Sequence, residues 1–133
     1  MKKSSRIFTI EEVDTLLPRL DTILGRFASK KEDHERMHDQ ILMHELLTQA
    51  GTRHDETQSH EWAQELERSV AALEKDIEEM MSLGCILRSI EQGWVDFLAQ
   101  KDGAFVYLCW KKGEKSIQYY HSAESIHTGR LPL

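Results

Sequence analysis

Apolar residues recur at helical spacing in the first part of the chain. They are three or four positions apart at Val13, Leu16, Leu17, Leu20, Ile23, Leu24 and Phe27. This spacing predicts an amphipathic helix. Thr9 precedes it as an N-cap, and Glu12, three residues later, completes a capping box. Pro18 lies inside the pattern. Because an internal proline loses a hydrogen bond and clashes with the preceding turn, we expect a kink or a restart of the helix there.

A second and more regular helical pattern covers residues 59 to about 91. Its inward heptad positions are Ala63, Leu66, Val70, Leu73, Ile77, Met80, Gly84 and Leu87. Residues 50–59 are polar, contain Gly51 and show no periodicity, so they predict the turn between two antiparallel helices. His54 and His60 fall in or near this turn, where we expect surface histidines. Gly93 is expected to end the second helix as its C-cap.

After Gly93 the pattern changes to short runs rich in β-branched and aromatic residues. The runs at 94–97, 104–110 and 117–121 predict three strands separated by Asp-Gly and Lys-Gly turns. The patterns together predict one α+β domain over residues 1–133, mainly helical. It consists of a coiled-coil-like antiparallel helical hairpin over 9–91 and a small three-stranded antiparallel β-meander with a tail over 93–133.

The register of the last two predicted strands decides which side chains meet. A two-residue turn at Lys112-Gly113 would pair Leu108 with Ile117. Cys109 and His121 would then lie on opposite faces of the sheet. A one-residue bulge would exchange the faces of one strand, so the alternative in which these two residues meet stays open.

Composition and charge narrow the classes of function. The net charge of −6 argues against nucleic-acid binding, which needs a basic face. No stretch approaches the about eighteen apolar residues of a membrane span, and the basic N-terminus is not followed by the apolar segment of a signal peptide. Cys85 and Cys109 form no C-x-x-C pattern and are expected to be reduced. We therefore expect a cytoplasmic protein.

The last third of the chain carries the candidate site. The residues that could bind a ligand there are Asp96, Cys109, Glu114, His121 and Arg130. Asp96, Glu114 and His121 are the candidate metal ligands, with Cys109 and His127 as further ones, because divalent metals such as zinc take oxygen, sulfur and nitrogen donors. The alternative is structural. Arg130 would then pair with Asp96 or Glu114, and Cys109 would be a small buried apolar residue. A further functional hypothesis is that Arg130, near a glutamate and a histidine, binds an anionic small molecule.

Two other kinds of chemistry fit the sequence less well. Cys109 could act as a nucleophile with His121 as its base, but a cysteine in the middle of a strand is expected to be buried, with a raised pKa. His34 and His38 lie one helical turn apart, and Glu35-x-x-His38 has the spacing of carboxylate-bridged metal bundles. That chemistry needs a second such pair, so we expect histidines that are solvated or that line the seam between the helices.

The long hairpin with a thin core also predicts self-association. Trp62 would be exposed in a lone hairpin, and two hairpins packed together would cover it. We therefore expect a binding or assembly protein that forms a homodimer and needs no cofactor. The alternative function is metal binding, or metal-dependent catalysis, by the C-terminal residues.

Several uncommon short sequence motifs occur in a fixed order at both ends of the chain. They are F-T-I-E-E-V…L-L-P at 8–18, G-W-V-D-F at 93–97, Y-L-C-W…G-E at 107–114 and Y-Y-H…G-R-L-P-L at 119–133. Together they resemble a bacterial family known only as domain of unknown function 2203. The resemblance implies a two-helix segment followed by a small β region, and it implies no activity. It adds weight to Asp96, Cys109, Glu114, His121 and Arg130 as site residues. Tyr120 and Leu98 depart from the family pattern, which has Trp and Pro there.

Overall fold

The computed structural model describes residues 6–49, 56–123 and 129–133. Gly51, His54 and His127 lie outside the described residues. The elements in chain order are α1 (Ile10–Gln49), α2 (Glu56–Ser82), β1 (Ile86–Ser89), β2 (Trp94–Lys101), β3 (Ala104–Lys111), β4 (Tyr119–Ser122) and β5 (Leu131–Pro132). The strands form one antiparallel meander in the order β1-β2-β3-β4-β5. The predicted α+β class is confirmed, with five strands rather than three. In the described part of the chain no helix is long and apolar enough to cross a bilayer.

The start of α1 follows from local sequence. The Thr9 amide donates to Glu12 Oε1 at 2.8 Å, and the Glu12 amide donates to Thr9 Oγ1 at 3.1 Å, which is the predicted capping box. The predicted restart at Pro18 is wrong, because α1 continues through it as one helix. Pro18 is exposed, so its ring lies on the solvent side of the helix. Leu17 and Leu20 are buried beside it and hold this turn on the core. A kink at Pro18 stays a prediction.

The end of α2 differs from the prediction. The helix ends at Ser82, not near residue 91. Gly84 has a φ of 91°, and its amide donates to the Met81 carbonyl at 3.0 Å, so it terminates the helix in the left-handed conformation that glycine allows. Gly93 has a φ of 66° and lies between β1 and β2, so it is a hairpin residue rather than a helix cap. The predicted helical segment after Gly84 therefore contains β1.

The described chain divides into two compact units. One unit contains the residues up to Leu24 together with Ile77–Leu133, and the other is Gly25–Asp76. The first unit holds the apolar core, in which one face of the sheet packs against the two helix segments. Its largest fully buried apolar side chains are Trp110, Phe97, Leu20, Ile23, Met80, Val13 and Val95. Because Val95 and Phe97 point into the core, the intervening Asp96 lies on the other face.

In the second unit, α1 and α2 contact each other in antiparallel order. The Asp76 carboxylate is buried and binds Arg26 and Lys30. Further along, the rings of His44 and Trp62 meet edge to face with centroids 4.8 Å apart. Trp62 is therefore half-buried within one chain, and the prediction that it would be exposed is wrong.

The register between β3 and β4 also differs from the prediction. Tyr107 pairs with His121, and Cys109 pairs with Tyr119, so the predicted pairing of Leu108 with Ile117 is wrong. Residues Cys109 and His121 consequently lie on the same face of the sheet, as in the alternative that the sequence left open.

The connection between these strands explains the difference. It is longer than two residues and folds back on itself. The Lys111 amide donates to Glu114 Oε1 at 2.8 Å, and Trp110 Nε1 donates to the Glu114 carbonyl at 2.7 Å. Ile117 lies before β4 rather than in it. Its side chain is buried in the core, and its amide donates to Asp14 Oδ1 at 2.7 Å.

Candidate metal centre

Three neighbouring strands each supply one potential metal ligand to the face of the sheet that points away from the apolar core. Asp96 on β2 lies directly opposite Cys109 on β3, and His121 on β4 is diagonal to Cys109. One ligand atom from each lies within 4.8 Å of the others. The exposed fractions of these residues are 0%, 0% and 1%. The β3–β4 register thus brings together three of the five residues that the sequence singled out.

Both oxygens of the Asp96 carboxylate accept hydrogen bonds. Trp94 Nε1 donates to Oδ1 at 3.0 Å. Arg88 Nε donates to Oδ2 at 2.8 Å, and His121 Nε2 lies 2.8 Å from the same oxygen. A carboxylate buried this completely needs such partners, because an unpaired charge in the interior is very unfavourable.

The His121 ring lies between two acceptors. Its Nε2 faces Asp96 Oδ2, and its Nδ1 lies 3.3 Å from the Ser122 carbonyl oxygen. An N–H at Nδ1 can therefore donate to Ser122 whatever partner Nε2 has. Tyr107 packs beside the ring with centroids 5.4 Å apart. The ring orientation is thus held from two sides.

The Cys109 thiol is held in its protonated form at neutral pH. Burial, and next the negative charge of Asp96, raise its pKa to about 11, whereas the Arg130 charge acts in the opposite direction. A nucleophilic cysteine needs a lowered pKa and access to substrate. Because Cys109 has neither, the arrangement argues against thiol catalysis. A metal ion would have to displace the thiol proton.

Glu114 and Arg130 form a separate ion pair next to these three residues. One Arg130 terminal nitrogen lies 2.6 Å and 2.8 Å from the two Glu114 carboxylate oxygens and 3.2 Å from the Cys109 carbonyl oxygen. The guanidinium also lies over the Tyr119 ring, 4.1 Å from its centroid. Of the two partners predicted for Arg130, Glu114 is the observed one. Glu114 is therefore directed toward Arg130 and is not among the three clustered ligands.

Long side chains cover the buried residues on this face. Arg88, Trp94 and Tyr107 are each half-buried there. Sequence reasoning missed Arg88 as the partner of Asp96, because it extended α2 through β1. The signal that could have found it is Gly84, whose position before Cys-Ile-Leu-Arg fits a helix stop followed by a strand.

His34 and His38 of α1 lie outside this group of clustered ligands. His34 Nδ1 lies 2.9 Å from Ser69 Oγ, so a hydroxyl on α2 is its partner. Within the ranges that the structure describes, Asp96, Cys109 and His121 are the one group of three metal-type ligands this close together, and it includes neither His34 nor His38.

Comparison with protein families gives the same family that the short sequence motifs indicate. A family model described as "Uncharacterized conserved protein (DUF2203)" matches residues 6–133. The chain belongs to this family. No curated protein and no solved structure gives a match. The family description names no activity, so any functional conclusion rests on the geometry of the side chains.

Proposed function

We propose that this protein binds a divalent metal ion through Asp96, Cys109 and His121. The combination of oxygen, sulfur and nitrogen ligands favours zinc. The observation that carries the proposal is the convergence of a carboxylate oxygen, a thiol sulfur and an imidazole nitrogen within 4.8 Å of one another in a buried place. Ligands of a tetrahedral zinc ion are about 3.4 Å apart, given bond lengths of about 2.0–2.3 Å. The ligand atoms would have to adjust to that spacing, since His121 Nε2 and Asp96 Oδ2 lie 2.8 Å apart without an ion.

The surroundings of the three residues support the proposal. Metal-binding histidines usually donate their second N–H to a carbonyl or carboxylate, and ligating carboxylates are themselves hydrogen-bonded. His121 Nδ1 faces the Ser122 carbonyl, and Trp94 Nε1 donates to the outer oxygen of Asp96. These contacts leave His121 Nε2 and Asp96 Oδ2 facing each other, as two ligands of one ion would.

Burial favours a structural role for the ion over a catalytic one. Structural zinc sites are closed by four protein ligands, whereas catalytic sites have three and keep the fourth position open to water or substrate. Three protein ligands converge here, but their burial would leave a substrate no access to the fourth position. Asp96, Cys109 and His121 have exposed fractions of 0–1% and come from three neighbouring strands. An ion bound there would join β2, β3 and β4 and stabilise the fold by a free energy that grows with the logarithm of its affinity.

Metal content and stability test the proposal together. Protein stripped with a chelator and dialysed against zinc should retain about one ion per chain by elemental analysis, and its melting temperature should rise. Asp96→Asn, Cys109→Ala and His121→Ala should each lose the ion. The matched control is Cys85→Ala, because Cys85 is also free and buried but its Sγ lies against the Met80 carbonyl at 3.2 Å. Retention of zinc by all three site variants would contradict the proposal.

A second candidate function, self-association, is favoured by a separate observation. Four large apolar side chains on consecutive turns of α1 are about half exposed: Leu42 47%, Met43 58%, Leu46 51% and Leu47 50%. Exposed apolar patches of this kind are typical of interaction surfaces. A homodimer formed through this part of α1 would cover them, in a binding or assembly role compatible with a bound metal.

Sedimentation equilibrium tests self-association. The wild-type chain should sediment as a dimer at micromolar concentration. Met43→Glu should shift it toward a monomer, because it places a charge in the apolar surface. Gln40→Glu adds the same charge at an exposed polar position of the same helix and should leave the mass unchanged. A wild-type monomer at high micromolar concentration would contradict self-association.

The cytoplasmic location is likewise a proposal, supported by the two free, buried cysteines.

A further inference from the structure

We propose that the Arg88 side chain competes with the metal ion for Asp96. Arg88 must leave the Asp96 carboxylate before the ion binds with full strength. The inference rests on the proposed function and concerns the regulation of the same site. Arg88 Nε donates at 2.8 Å to Asp96 Oδ2, the oxygen that faces His121 Nε2 and would share the ion with it. One carboxylate oxygen is thus the target of both the Arg88 guanidinium and the divalent cation.

Electrostatics decides how the two cations interact. A carboxylate oxygen has two acceptor positions, and Asp96 Oδ2 uses them for Arg88 and His121. An ion that replaces the His121 proton would still lie next to the Arg88 guanidinium. Because Asp96 is fully buried, neither water nor salt screens that repulsion effectively. Trp94 raises no such conflict, since it is neutral and donates to Oδ1.

The backbone conformation at Arg88 directs its side chain toward Asp96 and also allows that side chain to move away. Leu87 pairs with Val95 and Ser89 pairs with Trp94, so Arg88 is the extra residue of a β-bulge in an edge strand. Bulges commonly redirect one side chain and leave its backbone outside the ladder. The Arg88 side chain is already 26% exposed, and its guanidinium lies 5.0 Å from the Tyr107 ring centroid. It can therefore turn toward solvent along that ring without breaking backbone pairing.

A zinc competition titration with a chromophoric chelator tests the inference. Arg88→Met keeps much of the aliphatic length and removes the charge, and we expect it to bind zinc about tenfold more tightly than the wild type. The matched control is Arg26→Met, which takes an arginine from the buried Asp76 in the other compact unit. It should leave zinc affinity unchanged.

A second measurement uses the wild-type chain and does not depend on the folding of a variant. In chelator-treated protein the Nε–H of Arg88 should exchange slowly with solvent in nitrogen-edited NMR spectra, because it donates to a buried carboxylate. Saturating zinc should make that exchange fast. The Nε–H of Arg26 serves as the internal reference and should not change.

The outcomes separate the inference from the function on which it rests. Zinc binding by the wild type, with equal or weaker binding by Arg88→Met, would overturn the inference and leave the metal site intact. Slow exchange of the Arg88 Nε–H at saturating zinc would do the same. Failure of the wild type and of Arg88→Met to bind zinc would overturn the proposed function and this inference together.

Discussion

His121 Nε2 lies 2.8 Å from Asp96 Oδ2, and both side chains are buried on the face of the sheet opposite the apolar core. The contact joins β4 to β2 across the intervening β3. Cys109 on β3 lies beside it, so one polar contact between non-adjacent strands defines the candidate metal centre.

Removal of Asp96 should strongly destabilise the protein even without metal. Asp96→Ala removes the shared partner of Arg88 and His121. Arg88 can turn toward solvent, but the buried His121 ring is left without its partner, which costs about 1–3 kcal/mol. Urea unfolding of chelator-treated protein measures the loss. Asp33→Ala is the control, because the Asp33 side chain is 64% exposed, and it should change stability by less than about 0.5 kcal/mol. A loss below about 1 kcal/mol for Asp96→Ala would contradict the structure of the pair.

The Cys109 thiol should resist alkylation in the native protein. Burial and the Asp96 charge raise its pKa to about 11, so about one thiol in a thousand is ionised at pH 8. Iodoacetamide labelling followed by mass spectrometry, in a Cys85→Ala background, should be slow until denaturant is added. Labelling of the native chain as fast as free cysteine would show that the thiol is neither buried nor protonated.

The stability contributed by Asp76 should disappear in acid. Burial by itself raises the pKa of Asp76, but hydrogen bonds from Arg26 and Lys30 outweigh it, and the pKa lies below its ordinary value of 3.8. A lowered folded-state pKa means that the carboxylate stabilises the fold above the unfolded pKa and loses this contribution as the pH falls through the folded one.

Asp76→Asn measures that contribution. The variant should be less stable than the wild type by about 1–3 kcal/mol at pH 7. Urea unfolding from pH 7 down to about pH 2 should show the difference shrinking below the unfolded-state value near 4. A difference that stays constant over this range would mean that the Asp76 carboxylate does not titrate differently in the folded chain.

Local patterns predicted part of the fold and of the site. The Thr9–Glu12 capping box joins residues three apart, and the heptads of both helices span many turns, so neighbouring residues determine them. The β3–β4 register depends instead on contacts distant in sequence. Ile117 donates to Asp14, which lies 103 positions away, and no short pattern contains that bond. The sequence therefore named Asp96, Cys109 and His121 as candidates without determining that they meet.

Replacing either of two glycines with alanine should change the stability of the protein, in opposite directions at the two positions. Gly93 has a φ of 66°, and an added Cβ would lie 2.6 Å from Lys112 Cβ, so Gly93→Ala should cost about 1–3 kcal/mol. Gly25 lies within α1 with nothing within 4 Å of an added Cβ, so Gly25→Ala should stabilise by about 0.5–1 kcal/mol. Thermal unfolding of both variants measures the two effects. A tolerated Gly93→Ala would mean that the β1–β2 turn approaches Lys112 less closely.

X-ray absorption spectroscopy of the zinc-loaded protein tests the metal site most directly, because it counts the ligands. We expect one sulfur at about 2.3 Å and nitrogen or oxygen ligands at about 2.0–2.1 Å, with the sulfur absent from Cys109→Ala and present in Cys85→Ala. A zinc environment without sulfur in the wild type, or a sulfur that persists in Cys109→Ala, would contradict the proposal that Asp96, Cys109 and His121 hold one ion.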